Sequence, residues 1–176
     1  CDLLRGVRDS KQMTPLQRER WQGCIQSAAV AWAVASASSE EIDQLGILPA
    51  TCLAMQRAVQ ELRNPPQHLL VDYVRIPGCG APQTALPKGD CVCLSIAAAS
   101  VLAKTARDAH MRALDAQYPG YGFSAHKGYG TARHRQALGE LGACAVHRRT
   151  FKPVAALLIS ADRKKQDSSG EFFYLI

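Results

Sequence analysis

The strongest constraint on this chain is the alternation of helix-start signals with short apolar runs. In "DSKQMTPLQRERW", Thr14 is an N-cap, Pro15 takes the first helical position and Gln17 completes a capping box. "AVAWAVASAS" (29–38), dense in Val, Trp and small residues, reads as a buried strand. Ser38 with Glu41 in "SSEEIDQLGI" starts a second helical segment. "ILPATCLAMQRAVQEL" then sets Ile47, Ala50, Leu53, Ala54, Ala58 and Leu62 on one helical face. Pro65 and Pro66 stop that helix, and Leu69, Leu70 and Val71 make a short buried strand ending at Asp72. A loop through Pro87 leads into "CLSIAAASVLAKTARDAHMRALDAQYP", a long helix ended by Pro119, whose alanine-rich first half permits close packing on a sheet. "TARHRQALGELG" is a further helix, from cap Thr131 to a glycine near Gly142. Strands alternating with helices predict an α/β domain.

At 176 residues and 47% apolar composition, the chain holds enough core for one domain. No apolar run approaches the length that spans a bilayer, and the first residues carry no signal-peptide pattern. The sequence opens on Cys1 rather than Met, which reads as a fragment. The net charge of +6 is compatible with a nucleic-acid partner without requiring one. The seven cysteines are scattered, and Cys91-x-Cys93 is not a zinc-knuckle spacing, so reduced thiols are expected.

Two aspartates stand where an α/β sheet gathers its ligands. Asp72 closes a strand, a place for either a turn-former or a ligand aimed by a rigid element. Asp90 follows Lys88-Gly89 just before a helix, where an aspartate either caps free N–H groups or binds. Hard oxygens from two separate elements suit Mg²⁺ or Mn²⁺, which take a few carboxylates and complete their shell with phosphate oxygens. "YPGYGFSAHKGYGTARHR" mixes Tyr118, Tyr121, Phe123 and Tyr129 with glycines and with His126, Lys127, Arg133, His134 and Arg135. Such a stretch either stacks on bases and neutralises phosphates or plugs a core. The histidines His126, His134 and His147 lack zinc spacing and read as structural or phosphate-facing. "DSK" offers a hydroxyl and an ammonium to a phosphate. Ser100, Lys104, Arg107 and Asp108 recur at helical spacing, the last two reading as a structural ion pair.

The ordered set "DSK", "LVD", "KGD", "SIAAASVLAKTARD", "YPGYGFSAHKGYGT" and "HRRTFKPV" closely resembles bacterial ribonuclease HII, the type 2 ribonuclease H, over roughly Leu4 to Val154. The resemblance implies a ribonuclease H-like fold, a mixed sheet flanked by helices with a helical C-terminal region. It also implies an incomplete N-terminus, a domain over 1–154 and a tail over 155–176. The implied activity is hydrolysis of the RNA strand of RNA–DNA hybrids and cutting 5′ of ribonucleotides embedded in duplex DNA, by a cytoplasmic monomer without membrane attachment. Four carboxylates on Mn²⁺ or Mg²⁺ form the family's site. Asp72 and Asp90 match the third and fourth. Tyr129 matches the tyrosine that stacks on the deoxyribose 3′ of the ribonucleotide. Ser10 and Lys11 match groove-lining positions, with Ser100 and Lys104 less securely, and Lys127 is assigned a phosphate contact. The first two acids, an adjacent Asp-Glu beside a Gly-Arg-Gly loop, precede "DSK" in the family by a few dozen residues, and "DSK" here begins at position 9. The expected partners of Asp72 and Asp90 therefore lie before Cys1, and activity is expected to be impaired in the chain as given. The alternative is an inactive nucleic-acid-binding remnant. One departure is visible: Tyr73 stands where the family usually has glycine.

Overall fold

The computed structural model describes residues 4–168. A short 3₁₀ turn over Ser10–Gln12 leads to helix α1 (Pro15–Ala28), followed by α2 (Ser39–Leu45) and α3 (Ile47–Gln60). Strands β1 (Leu69–Asp72) and β2 (Gln83–Leu86) precede a single helical turn, α4 (Gly89–Val92). Then come the long α5 (Leu94–Gln117), the turn α6 (Phe123–His126), α7 (Ala132–Leu141) and α8 (Lys152–Ser168). Both capping boxes form as the sequence predicts, Thr14 with Gln17 and Ser38 with Glu41. Thr131 accepts from the His134 N–H, and Gly142 ends α7 at φ 77°.

Helix α5 is the spine of the molecule. Its first half contributes Ala98, Val101 and Leu102 to a cluster with Met13 and with Ile25 of α1. Its second half contributes Met111 to another, with Tyr121, Phe123, Ala137, Leu138 and Val154. A buried ion pair locks α1 onto α5: Arg18 Nη2 lies 2.9 Å from Asp108 Oδ2, and both side chains are under a tenth exposed. Lys104, one helical turn earlier, reaches the other carboxylate oxygen at 2.6 Å. Burial alone would push the Asp108 carboxyl up, but Lys104 and Arg18 hold it below its ordinary value. Its contribution to stability is therefore complete above the unfolded value of 3.8 and is lost as pH falls through the lower folded one. Asp108 thus pairs with Arg18 and Lys104, where its sequence neighbour Arg107 was the expected partner.

The sheet is smaller than the predicted mixed one. Among the described residues it is the parallel pair β1–β2, in register from Leu69↔Gln83 to Asp72↔Leu86. β1 is only partly buried: Val71 is in the core while Leu70 is exposed. Residues 29–38 are not a buried strand. They run without regular structure, with the odd-numbered alanines half-buried and Val30, Trp32 and Val34 exposed. The period-2 pattern is there, but a strand needs a neighbour to receive its N–H and C=O groups, and no strand among the described residues pairs with this one. In α3 Ala50 is buried and Leu53, Ala54 and Ala58 are half-buried, as the predicted face requires, while Ile47 at the start of that face is exposed and Cys52 is buried outside it.

The C-terminal segment is tied in by α2. Asp43 accepts from the Arg149 and Thr150 N–H groups at 2.6 and 3.0 Å. Beyond Val154 the chain continues as α8, and Leu157 and Leu158 pack against the second core cluster, so the start of the expected tail belongs to the core. Residues 169–176, with the apolar end of that tail, lie outside the described residues. Removing one partner of a buried pair leaves the other charge uncompensated, so Asp108→Ala should lower unfolding free energy by about 3–5 kcal/mol in urea titrations. A loss below about 1 kcal/mol would mean the pair behaves as a solvated one.

Candidate active site

Asp72 ends β1, and its Oδ1 accepts the Gly89 N–H at 2.8 Å. That bond brings the strand-end carboxylate to the turn that carries Asp90, the first acidic residue of α4. The turn is shaped by Lys88, which adopts the left-handed φ of 55°, and by Gly89. A Cβ on Gly89 would stand 2.5 Å from Ile96 Cδ1, so any larger residue there would have to displace the Ile96 side chain of α5. Asp90 does not cap: it sits inside the first turn behind the N-cap residue Lys88, its side chain 12% exposed. Tyr73, where the family usually has glycine, takes φ 64° while its N–H still bonds Leu86 O. A non-glycine residue there costs about 1–2 kcal/mol, and the carboxylate beside it keeps its place.

The "DSK" turn closes the other side. Asp9 caps it by accepting the Lys11 N–H at 2.9 Å, and Lys11 Nζ lies 4.0 Å from Asp90 Oδ2. Asp9 and Asp90 line one shallow cleft with Arg8, Gln12, Cys91 and Cys93. Burial and the adjacent Asp90 push the Cys91 thiol up, and the described cysteines are free. Ser10 is buried, and its carbonyl and that of Met13 accept from Arg18 at 2.9 and 2.5 Å. Arg18, which the sequence reading did not single out, therefore holds the turn. No local pattern could have exposed it, because its partner Asp108 is 90 residues away.

Along α5, Ser100 donates to Ala97 O and Lys104 is engaged by Asp108, so neither is a free groove side chain. Lys127 lies close enough to help lower the Asp108 carboxyl. Tyr129 is 72% exposed on the turn after α6, whereas Tyr121 and Phe123 are stacked in the core at 5.3 Å. The aromatic stretch thus divides into core plugs and one outward ring. All three histidines of interest are buried and structural.

The oxygens of Asp72 and Asp90 fit a hard divalent ion held by one or two carboxylates and completed by water and phosphate. Among the described residues no group of three or more His, Cys, Asp or Glu side chains is placed to enclose a metal. The two carboxylates among the described residues suit part of such a site and not a closed cage.

The ribonuclease HII family model matches residues 3–154. The chain belongs to the ribonuclease HII family. It is 55% identical over 154 residues to the ribonuclease HII of Anaeromyxobacter sp. (strain Fw109-5), covering 88% of this chain and 49% of that protein. It is 52% identical to that of Myxococcus xanthus (strain DK1622), over 88% of this chain and 53% of the relative. With the ribonuclease HII of Nitrosococcus oceani the identity is 50%, over 88% and 77%. The chain thus spans about half the length of the first two relatives. Its fold is that of the ribonuclease H2 from Pyrococcus horikoshii OT3, with a TM-score of 0.77 at 23% identity over 92% of this chain and 85% of that one. No helix among the described residues is long and apolar enough to cross a membrane.

The Asp72–Gly89 bond separates anchoring from charge. Asp72→Ala should cost about 1.5–3 kcal/mol of stability, the range for a hydrogen bond to a charged group. Asp72→Asn, whose amide oxygen can still accept from Gly89, should cost less than half as much in the same denaturant titration. Equal losses would mean that this bond does not hold the turn.

Proposed function

We propose that this protein is the catalytic part of a ribonuclease that hydrolyses the RNA strand of RNA–DNA hybrids and cuts 5′ of ribonucleotides embedded in duplex DNA. The observation that carries the reading is the hydrogen bond from Gly89 to Asp72, which joins a strand-end carboxylate to the turn bearing Asp90. Asp72 and Asp90 would hold Mn²⁺ or Mg²⁺, which when bound stabilises negative charge on the attacking and leaving oxygens and lowers the pKa of the attacking water. The protein's own residues do the rest. β1 and the α4 turn fix the two carboxylates, while exposed Lys11 faces the phosphate beside them and buried Ser10 holds its own turn through its carbonyl. Lys127 contacts a phosphate farther along the duplex, and Tyr129 offers its exposed ring to the deoxyribose 3′ of the ribonucleotide. Ser100 and Lys104 shape the floor between, Lys104 through its bond to Asp108. Contacts of this kind make binding steeply dependent on salt.

Two acids do not complete the four-carboxylate set, and no Asp-Glu pair or Gly-Arg-Gly occurs in the sequence. The reading therefore predicts negligible Mn²⁺-dependent nicking by the 176-residue chain alone, and cleavage once a segment carrying Asp-Glu and Gly-Arg-Gly is joined before Cys1. In that extended protein, Asp72→Asn and Asp90→Asn should each lose more than the roughly hundredfold typical of outer-shell changes. Robust cutting by the unextended chain, or by the extended Asp90→Asn variant, would overturn the assignment. Weak duplex binding with no cleavage even after extension would favour the second reading, an inactive nucleic-acid-binding relative, which the exposed Tyr129 and the net charge of +6 also suit.

Tyr129→Ala in the extended protein should weaken cleavage at a lone ribonucleotide about tenfold or more, and cleavage of a long hybrid less, since one stacking contact is worth roughly 1–3 kcal/mol. Equal losses on both substrates would show that the ring only packs.

A further inference from the structure

Three buried histidines form one column under the Tyr129 turn. The rings of His126 and His134 stack at 4.2 Å and 12°, and His134 Nε2 lies 3.2 Å from His147 Nε2. Two such nitrogens bond only if one carries a proton and the other does not. The backbone decides which. The Cys144 N–H donates to His147 Nδ1 at 3.0 Å, so the neutral His147 ring carries its proton on Nε2 and donates it to His134. His134 Nε2 then accepts, and its own proton sits on Nδ1, 3.0 Å from the Tyr129 carbonyl. His126 is fixed the same way, accepting the Gly128 N–H on Nδ1 at 3.1 Å and donating from Nε2 to Tyr121 O at 2.7 Å. Each ring has one tautomer, and the run from Cys144 ends on the backbone of Tyr129.

We propose that His126, His134 and His147, in their neutral forms, are positioning residues that hold the Lys127–Tyr129 turn for nucleic acid, and that acid withdraws Tyr129 from its substrate. This rests on the reading of Tyr129 given above. A second proton has nowhere to go without breaking the relay. On His147 Nδ1 it meets the Cys144 N–H, on His134 Nε2 it meets the His147 proton, and on His126 Nδ1 it meets the Gly128 N–H. The facing groups offer little relief. The Cys144 thiol lies 3.0 Å from the same His147 Nδ1, and the Tyr121 hydroxyl donates to Gly142 O. From α5, Asp115 senses His126 but already accepts from Ser124, and Arg107 stands beside Gly128. Arg133 of α7 lies beside Gly122, next to His126, and Arg148 sits over the Phe151 ring. Phe151, Pro153 and Val154, where α8 begins, bring no charge. Burial pushes both His134 and His147 below the ordinary imidazole value of 6.5, and His126 adds to the effect. The unfolded chain takes up protons near 6.5 and the folded one at lower pH, so the arrangement is fully stable above that value and weakens as pH falls below it.

The test uses the unmodified chain. Long-range ¹H–¹⁵N spectra at pH 8 should show the Nε2–H tautomer for His126 and His147 and Nδ1–H for His134. On acidification to about pH 5.5, Gly128, Tyr129 and Thr131 amides should lose hydrogen-exchange protection about fivefold or more, the equivalent of one hydrogen bond, while α5 keeps its own. Affinity for a duplex with one ribonucleotide, read by fluorescence anisotropy, should fall over the same range in wild type, and in Tyr129→Ala should already be lower at pH 8 and lose this fall. His134→Asn, whose amide can still donate to Tyr129 O but cannot titrate, should keep the turn protected to lower pH than wild type, and His134→Ala should lose protection throughout. Other tautomers, or turn amides protected until α5 itself unfolds, would overturn the relay. The expected exchange behaviour with Tyr129→Ala binding like wild type at pH 8 would overturn the Tyr129 reading alone.

Discussion

The pairing of Arg18 with Asp108 is the constraint on which the other placements lean. A guanidinium and a carboxylate this deeply buried must satisfy each other, and doing so fixes α1 against the middle of α5. The Nη1 group of Arg18 donates to the carbonyls of Ser10 and Met13, which sets the turn that brings Lys11 beside Asp90. Lys104 satisfies the other oxygen of Asp108, and Lys127 contributes to the same field from the turn after α6. One carboxylate thus coordinates three stretches of chain around a single helix. Arginine suits this role better than lysine would, since its planar fork serves two carbonyls and a carboxylate at once.

What could be read from the sequence follows the range of the interaction involved. Both capping boxes, the Thr131 cap and the Gly142 terminus are settled within a few residues, and all form where the sequence places them. β2 escaped because Gln83–Leu86 is four residues between two prolines, with no periodicity of its own. It exists through its ladder to β1 and through the reciprocal bonds between Gln83 and Ile76. The opposite error befell 29–38, where a good strand pattern has no partner among the described residues. Alternation reports the two faces of a strand but says nothing about its edges. In α3 the predicted face holds from Ala50 onward, and only Ile47, in the first turn, is left uncovered.

At the candidate site, position and role separate. Asp72 and Asp90 stand out as sequence positions, yet their association passes through the Gly89 N–H, a backbone group that carries no residue signature. Of the four aromatics in the glycine-rich stretch, composition could not tell the one outward ring from the others, because Tyr121 and Phe123 are distinguished by packing on buried histidines distant in sequence. Those histidines also show why ligand spacing is a poor guide to imidazole function. Here the rings serve as donors and acceptors for the main chain, and the order of protons along them follows from two backbone amides.

The grip of Asp43 on Arg149 and Thr150 bears on how the chain assembles. Its two ends are 106 and 107 residues apart, so the contact closes a very long loop and returns only local hydrogen bonds for that entropy. Such contacts form late, after the segments between them have organised. During synthesis the carboxylate of α2 emerges long before its partners and waits in solvent while α5 is made. Release of the C-terminal helix by cutting near Thr150 would take Val154, Leu157 and Leu158 from the cluster around Met111, whereas the Arg18–Asp108 pair between α1 and α5 draws on none of those residues.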